Sequence, residues 1–398
     1  MPNFEKVPLL PSDPIFSLNA LYAADKNPDK VNLGVGVYMD EFGKLKVLDV
    51  VREAEKQIIE AKLDKNYPPL DGVPDYIQKS LKLIFGEAKG PTFLYGAQAV
   101  GGTAALRIGA EFLAINIGGP IFIPNPTWAN HRKIFTGAGL NIQEYPYYDP
   151  TTHSLQFSNI CKSIEAMPAG SAMVLHACCH NPSGMDFSDE QWQEISRLLK
   201  KQNVIPFFDF AYQGFGIDFE TDAKAVRLFR KEGHEMLVSY SFSKNMGLYG
   251  ERVGLLAITA QAEQSIPNIA SQVKQIIRGI YSMASLHGAR IAATILGSET
   301  LHCRWLEELS AMQQRVSIMR EALMSGLSAA SSHEDFSFLA KQKGMFSFSG
   351  LTPKQVLALR EQCSIYMTND GRINVAGLNS NNIDYVSNAI ATILQLPL

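Results

Sequence analysis

The chain has no run of about 18 apolar residues, the length that a bilayer-spanning helix needs, so no membrane span is expected. Its first residues, MPNFEKVPLLPSDPIF, lack the basic segment and apolar core of a secretory leader, and a cytoplasmic location is expected. Charge of one sign is not in excess. The 36 Lys and Arg stand against 39 Asp and Glu, for a formal net charge of −3. There is no basic run, and nothing in that balance points to nucleic acid. Cysteine is scarce and scattered, at positions 161, 178, 179, 303 and 363. An odd count without framework spacing fits reduced thiols. The adjacent Cys178 and Cys179 do not form a CxxC motif, and no metal centre is expected. Short repeats, low-complexity tracts and Gly/Ser linkers are missing too.

What is present is a chain of 398 residues with 46% hydrophobic content, enough for a large core or for two domains sharing one. Its middle alternates apolar strand-like runs with amphipathic stretches. Met173 to Asn181 (MVLHACCHN), Val204 to Tyr212 (VIPFFDFAY) and Met236 to Lys244 (MLVSYSFSK) read as strands. SDEQWQEISRLLKKQ between the first two reads as a helix opened by a capping box of Ser188 and Gln191. DAKAVRLFRKEG reads as another helix, with basic residues near its end. This alternation predicts crossover units and a mostly parallel sheet, and the near-continuous apolar runs fit strands covered on both faces. From Thr300 to Ala330 the pattern is one long helix without proline, able to leave one domain and enter another. The expected division is an N-terminal arm at 1–12, part of a small domain at 13–44, a large domain at 45–312, and the rest of the small domain at 313–398.

Four polar groups fall at or just beyond the C-terminal ends of the predicted strands: Asn181, Asp209, Tyr212 and Lys244. In open α/β sheets that edge is where ligands bind. A pyridine aldehyde cofactor needs an amine to form an imine, and a carboxylate to keep its ring nitrogen protonated. Lys244 can be the amine and Asp209 the carboxylate. Tyr212 and Asn181 can hydrogen-bond the ring's phenolic oxygen, which keeps the imine reactive. Such a cofactor also carries a phosphate. Ser241 and Ser243 precede Lys244 as S-F-S-K, and Arg252 follows with a fork suited to phosphate oxygens. A second cradle lies at QAVGGTAALRIGAEF, where Gly101 and Gly102 admit close approach and a helix starting at Thr103 offers free N–H groups. A lone strand-end Lys is usually a solvated surface residue, and a lone Asp there is more often a helix cap. The convergence of four such groups favours a site.

These segments resemble the fold-type I pyridoxal-phosphate (PLP) enzymes of the aspartate and aromatic-amino-acid aminotransferase family. SYSFSKNMGLYGERVG resembles the family's lysine segment and DFAYQGFG its pyridine-nitrogen segment. HNPSG, NPTWANH, NLGVGVY, IRGIYS, GMFSFSG and GRINVAGL fit in the expected order, so the likeness covers nearly the whole chain. It implies a large domain built on a mostly parallel seven-stranded sheet between helices, with a smaller α/β domain. It implies PLP as cofactor, held by Gly102, Thr103, Trp128, Asn181, Asp209, Tyr212, Ser241, Ser243, Lys244 and Arg252. Trp128 resembles the ring that stacks on the pyridine face. Arg372 resembles the clamp for the substrate α-carboxylate, and Gly36 a backbone group near the substrate, where Trp128 and Asn181 also contribute. Tyr67 resembles a tyrosine that reaches the neighbouring subunit's phosphate. Arg278 resembles an arginine that crosses the dimer interface to a second substrate carboxylate. The implied assembly is a homodimer with shared sites, and Asn125-Pro126 and Asn181-Pro182 are candidates for cis bonds.

The activity so implied is transamination between an L-amino acid and a 2-oxo acid. L-Aspartate plus 2-oxoglutarate, giving oxaloacetate and L-glutamate, is the first choice. Tyrosine or phenylalanine as substrate, or dual specificity, is the alternative. Two positions depart from the pattern. Gly101 stands where many aspartate enzymes have a serine, and Met283-Ala284-Ser285 follows Tyr281-Ser282 where the family usually has Asn-Pro-Pro or Ser-Pro-Pro. A PLP lyase or decarboxylase would share Lys244 and Asp209 but would not need both Arg278 and Arg372. The glycines at 34–36 lack the GxGxxG-then-helix context of a nicotinamide enzyme. A catalytically dead binding protein is disfavoured because every chemical position is filled.

Overall fold

A computed structural model describes residues 4–10, 14–87, 90–331 and 334–396. Of the expected arm at 1–12, residues 1–3 and 11–12 lie outside the described residues. Seven strands form one sheet: β1 (Phe93–Val100), β2 (Ile121–Asn125), β3 (Ile142–Pro146), β4 (Ala172–His176), β5 (Ile205–Phe210), β6 (Leu237–Ser241) and β7 (Val253–Ala260). Their spatial order is β1-β7-β6-β5-β4-β2-β3. β7 runs antiparallel to both neighbours, and the remaining pairings are parallel.

Every residue of β4, β6 and β7 is buried, as expected for strands covered on both faces. Successive side chains alternate between two cores, because a strand has a period of two. Phe207, Val174 and Leu256 point to one core, with residues of the helices Gly101–Asn116 and Ser265–Ile280. Phe208, Leu175 and Leu255 point to the other, with the helices Pro74–Phe85 and Asp189–Gln202. The helix Asp189–Gln202 carries the anticipated capping box: Ser188 Oγ accepts from Gln191 N at 3.2 Å, and Gln191 Oε1 accepts from Ser188 N at 2.9 Å.

The strands end earlier than their apolar runs. β4 stops at His176, β5 at Phe210 and β6 at Ser241, so Asn181, Tyr212 and Lys244 sit in the loops beyond them. Beyond β4 the chain turns away from the ladder, with Cys179 at φ +53°. The helix expected from Thr103 starts two residues earlier, and Gly101 and Gly102 form its first turn. The bonds Asn125-Pro126 and Asn181-Pro182 are both cis.

The helix Glu299–Ala330, 32 residues long, spans about 48 Å at 1.5 Å per residue. Near its start, Trp305 Nε1 donates to Asn245 O at 2.6 Å, beside the large sheet. Near its end it packs on the helix Ile383–Leu394. Around that second end, Val31–Asn32 pairs parallel with Ile365–Tyr366, and Phe346–Phe348 pairs antiparallel with Arg372–Asn374. The N-terminal stretch is thus joined to the C-terminal part by backbone pairing. No helix among the described residues is long and apolar enough to cross a membrane.

Candidate active site

The C-terminal ends of β4, β5 and β6 open onto a cavity of about 220 Å³. Asp209, the penultimate residue of β5, reaches it from the floor. Its Oδ2 lies 3.1 Å from His131 Nε2, and His131 Nδ1 lies 2.8 Å from Thr127 Oγ1. A threonine hydroxyl donating to Nδ1 leaves the ring proton on Nε2, directed at the carboxylate. Burial alone would raise the Asp209 carboxyl. The His131 hydrogen bond and the charge of Lys244 overcome it and hold the group below the usual carboxylate range. His176, 3.9 Å from the same oxygen, is pushed down to about 3 by burial and is neutral.

Lys244 follows β6 by three residues. Its Nζ lies 5.3 Å from the centre of the Tyr212 ring. Burial lowers its pKa to about 8, against the attraction of Asp209. The Tyr212 phenol is raised, by burial and then by the Asp209 charge, and so stays protonated. Its oxygen accepts from Asn181 Nδ2 at 3.3 Å.

Opposite this group, Arg372 comes from the strand Arg372–Asn374, which pairs with Phe346–Phe348. Nη1 donates to Asn181 Oδ1 at 3.3 Å and Nη2 to Gly34 O at 3.1 Å, while the guanidinium carbon lies 4.3 Å from the Phe346 ring centre. Its Nε is buried with no hydrogen-bond partner among the described residues, as expected of a group that receives an anion.

At the other end, Ser241, Ser243 and Arg252 face the first turn of the helix Gly101–Asn116. Gly101 has φ +74°, and a Cβ there would meet Arg252 Nη2 at 2.4 Å. A Cβ on Gly102 would come within 3.2 Å of Ser241 Cβ, so Gly102, which already carries none, is as close as backbone can be. An N-terminal helix turn, two hydroxyls and an arginine suit a phosphate. Amine, carboxylate, phenol and phosphate cradle therefore all surround one cavity, and the residues present fit PLP.

Gly36, Gly102, Thr103, Trp128, Asn181, Asp209, Tyr212, Ser241, Ser243, Lys244, Arg252 and Arg372 all line this cavity. Tyr67 and Arg278 do not. Tyr67 is 83% exposed, and Arg278 is exposed with its guanidinium bonded to Ser282 Oγ. The sequence reading missed His131 and Phe346. His131 lay inside the quoted NPTWANH, one helical turn after Trp128, and that spacing was the available signal.

The chain from 28 to 390 matches the family model described as aminotransferase class I and II. The chain belongs to that family. Aspartate aminotransferase of Escherichia coli K12 is 43% identical to this aminotransferase over 397 residues, 98% of this chain and 100% of the relative. Among solved structures, an aromatic-amino-acid aminotransferase from Burkholderia pseudomallei, covalently bound to pyridoxal phosphate, superposes with a TM-score of 0.97 at 45% identity. It covers 99% of this chain and 100% of its own. Cytoplasmic aspartate aminotransferase of Saccharomyces cerevisiae gives 0.95 at 36% identity, over 100% and 99% of the two chains. The departures from the family pattern lie outside the lining of the cavity of this aminotransferase. Ala284 is buried, Ser285 O accepts from Gln98 Nε2 at 2.7 Å, and none of Met283–Ser285 lines it.

Proposed function

We propose that this chain is a PLP-dependent aminotransferase that exchanges an amino group between an L-amino acid and a 2-oxo acid, with L-aspartate and 2-oxoglutarate as the preferred pair. The convergence of Lys244, Asp209 and Arg372 on one cavity carries this reading. The products are oxaloacetate and L-glutamate. Aromatic or dual specificity is the second reading, favoured by likeness to the Burkholderia enzyme.

When bound, PLP supplies an aldehyde for the amino group and a protonated ring that accepts electrons from the substrate α-carbon. Asp209, held ionised by His131, would keep the ring nitrogen protonated. Tyr212 and Asn181 would hydrogen-bond the ring oxygen, and Trp128 would lie against the ring. Gly102, Thr103, Ser241, Ser243 and Arg252 would hold the phosphate. Arg372 orients the substrate through its α-carboxylate, with Gly36 and Asn181 beside it. Lys244 moves the proton. A base with a pKa of about 8 both takes and returns a proton near neutral pH.

Tyr67 and Arg278 take part through a second copy of the chain. In a homodimer with shared sites, Tyr67 contacts the partner's phosphate and Arg278 a distal substrate carboxylate. Their exposure in the single chain supports this reading, as does the run of exposed apolar residues Phe4, Val7, Leu9 and Leu10 in the arm. We assign residues 13–44 and 313–398 to the small domain and 45–312 to the large one, and a cytoplasmic location.

Two measurements test the reading. Borohydride reduction followed by peptide mapping should place the pyridoxyl group on Lys244; another lysine would end the assignment. Paired kinetics should give a higher kcat/KM for aspartate than for phenylalanine, and the reverse order would select the second reading.

A further inference from the structure

The segment Gly34–Tyr38 enters the cavity through Gly36. Groups of the small domain hold it from one side. The Asn374 side-chain amide donates to Val35 O at 2.6 Å and to Val37 O at 2.7 Å. Arg372 donates to Gly34 O, and Arg315 Nε donates to the Tyr38 hydroxyl at 3.0 Å. Among the described residues, one hydrogen bond ties the segment to the large domain: Tyr38 N donates to Tyr249 Oη at 2.9 Å.

Tyr249 lies three residues before Arg252, and Arg252 Nη1 donates to the Tyr249 carbonyl at 3.1 Å. One residue thus meets the arginine of the phosphate cradle with its carbonyl and the substrate-side segment with its hydroxyl. Tyr249 does not line the cavity. Burial lifts its phenol to about 12, so at neutral pH the oxygen accepts as a neutral hydroxyl.

We propose that the Tyr249 hydroxyl is a positioning element for substrate, registering the Gly36 segment against the phosphate end of the cavity. It acts through Gly36 and Tyr38 and does not touch the reacting atoms. An anion that orders Arg252 also fixes the Tyr249 backbone, and so its hydroxyl. Occupancy of the phosphate cradle and ordering of the substrate segment then favour each other, since such coupling is reciprocal. The inference rests on the aminotransferase reading above.

The test is Tyr249→Phe, which removes the hydroxyl and keeps the ring. In the holoenzyme, KM for both the amino acid and the 2-oxo acid should rise about threefold to tenfold, the value of one neutral hydrogen bond. kcat should stay within about twofold. Hydrogen–deuterium exchange of the peptide spanning 33–38 should speed up. In the apoprotein, inorganic phosphate should slow that exchange in the wild type and not in Tyr249→Phe. Tyr385→Phe serves as the control. It loses a hydrogen bond to Cys363 O of 2.6 Å away from the cavity, and should leave KM and this exchange unchanged. Unchanged KM and exchange in Tyr249→Phe would overturn the proposal, as would a fall in kcat at steady KM or the same KM rise in Tyr385→Phe. Failure of phosphate to slow wild-type exchange would overturn the coupling. A wild type without transaminase turnover would instead sink the functional reading, and the exchange comparison would still judge the tie.

Discussion

At the scale of the residue, the site works by setting two neighbouring groups apart in acidity. Asp209 is held ionised by His131 and Lys244, while burial makes the Lys244 ammonium costly. The second effect has a consequence for stability. The Lys244 pKa is about 8 in the folded chain and about 10.5 in an unfolded one. Between those values the unfolded chain binds the extra proton, so this group makes stability rise with pH from about 8 to 10.5. Below pH 8 the folded state carries the full penalty. Lys244→Met should therefore stabilise the apoprotein at pH 7 by about 1–2 kcal/mol, allowing for the solvent-facing side of the cavity, and by much less at pH 10. Urea midpoints at both pH values check this. A Met variant that is less stable at pH 7 would show that burial does not dominate at Lys244. For Asp209→Ala, kcat should fall on the order of 10²–10³-fold, while PLP is still retained by the phosphate cradle. Single-turnover rates and bound-cofactor absorbance separate the two effects, and near-normal turnover would remove Asp209 from its role.

At the scale of the element, the decisive piece is the start of the helix Gly101–Asn116. The sequence marks it by two glycines, and the structure explains both. Gly101 adopts a left-handed φ that side chains rarely take, and a Cβ there would push on the end of the Arg252 side chain. Gly102 gives its carbonyl to Ser239 Oγ at 3.0 Å and lies against Ser241, which joins the helix start to β6. Gly101→Ala should displace the Arg252 guanidinium and weaken PLP binding about tenfold or more, the value of a charge-assisted hydrogen bond. Equilibrium titration of the apoprotein with PLP measures it. Unchanged affinity would mean that a Cβ at position 101 does not move Arg252 from the phosphate.

At the scale of the whole molecule, Tyr67 and Arg278 lie outside the cavity, and the proposal is that a second copy of the chain brings them to it. Arg278 is predicted to select dicarboxylic substrates across a dimer interface. Arg278→Leu should lower kcat/KM for aspartate by about tenfold to a hundredfold or more, since a lost charge-assisted pair leaves the distal carboxylate unmatched in a closed site. Phenylalanine, which has no distal charge, should lose much less, whereas Arg372→Leu should impair both. Mixing Arg278→Leu with Lys244→Ala should restore partial activity, because some heterodimer sites then carry both groups. Heterodimers confirmed by mass without recovery would place Arg278 in service of its own subunit.

Local order fixed much of this in advance. A period of two and near-continuous apolar runs specify strands covered on both faces, and a Ser188–Gln191 spacing specifies a capped helix, because both depend only on neighbours in the chain. Strand-end polar residues were legible for the same reason: Asn181, Asp209, Tyr212 and Lys244 each follow an apolar run. The resemblance of whole segments then assigned Trp128, Gly36 and Arg372, which periodicity could not. What the tertiary structure decided is distance across the chain. Arg372 meets Gly34 338 residues away and Asn181 191 residues away, and His131 meets Asp209 across 78 residues. His131 carries only a faint local mark, its spacing from Trp128, because an imidazole there reads as ordinary helix until a carboxylate from β5 is placed at 3.1 Å. The tie between Tyr38 and Tyr249 is absent from any local pattern. The pairing of Val31–Asn32 with Ile365–Tyr366 holds the N-terminal segment, and the tie to Tyr249, in the loop between β6 and β7, forms 211 residues away, where long-range packing, and not propensity, sets which groups meet.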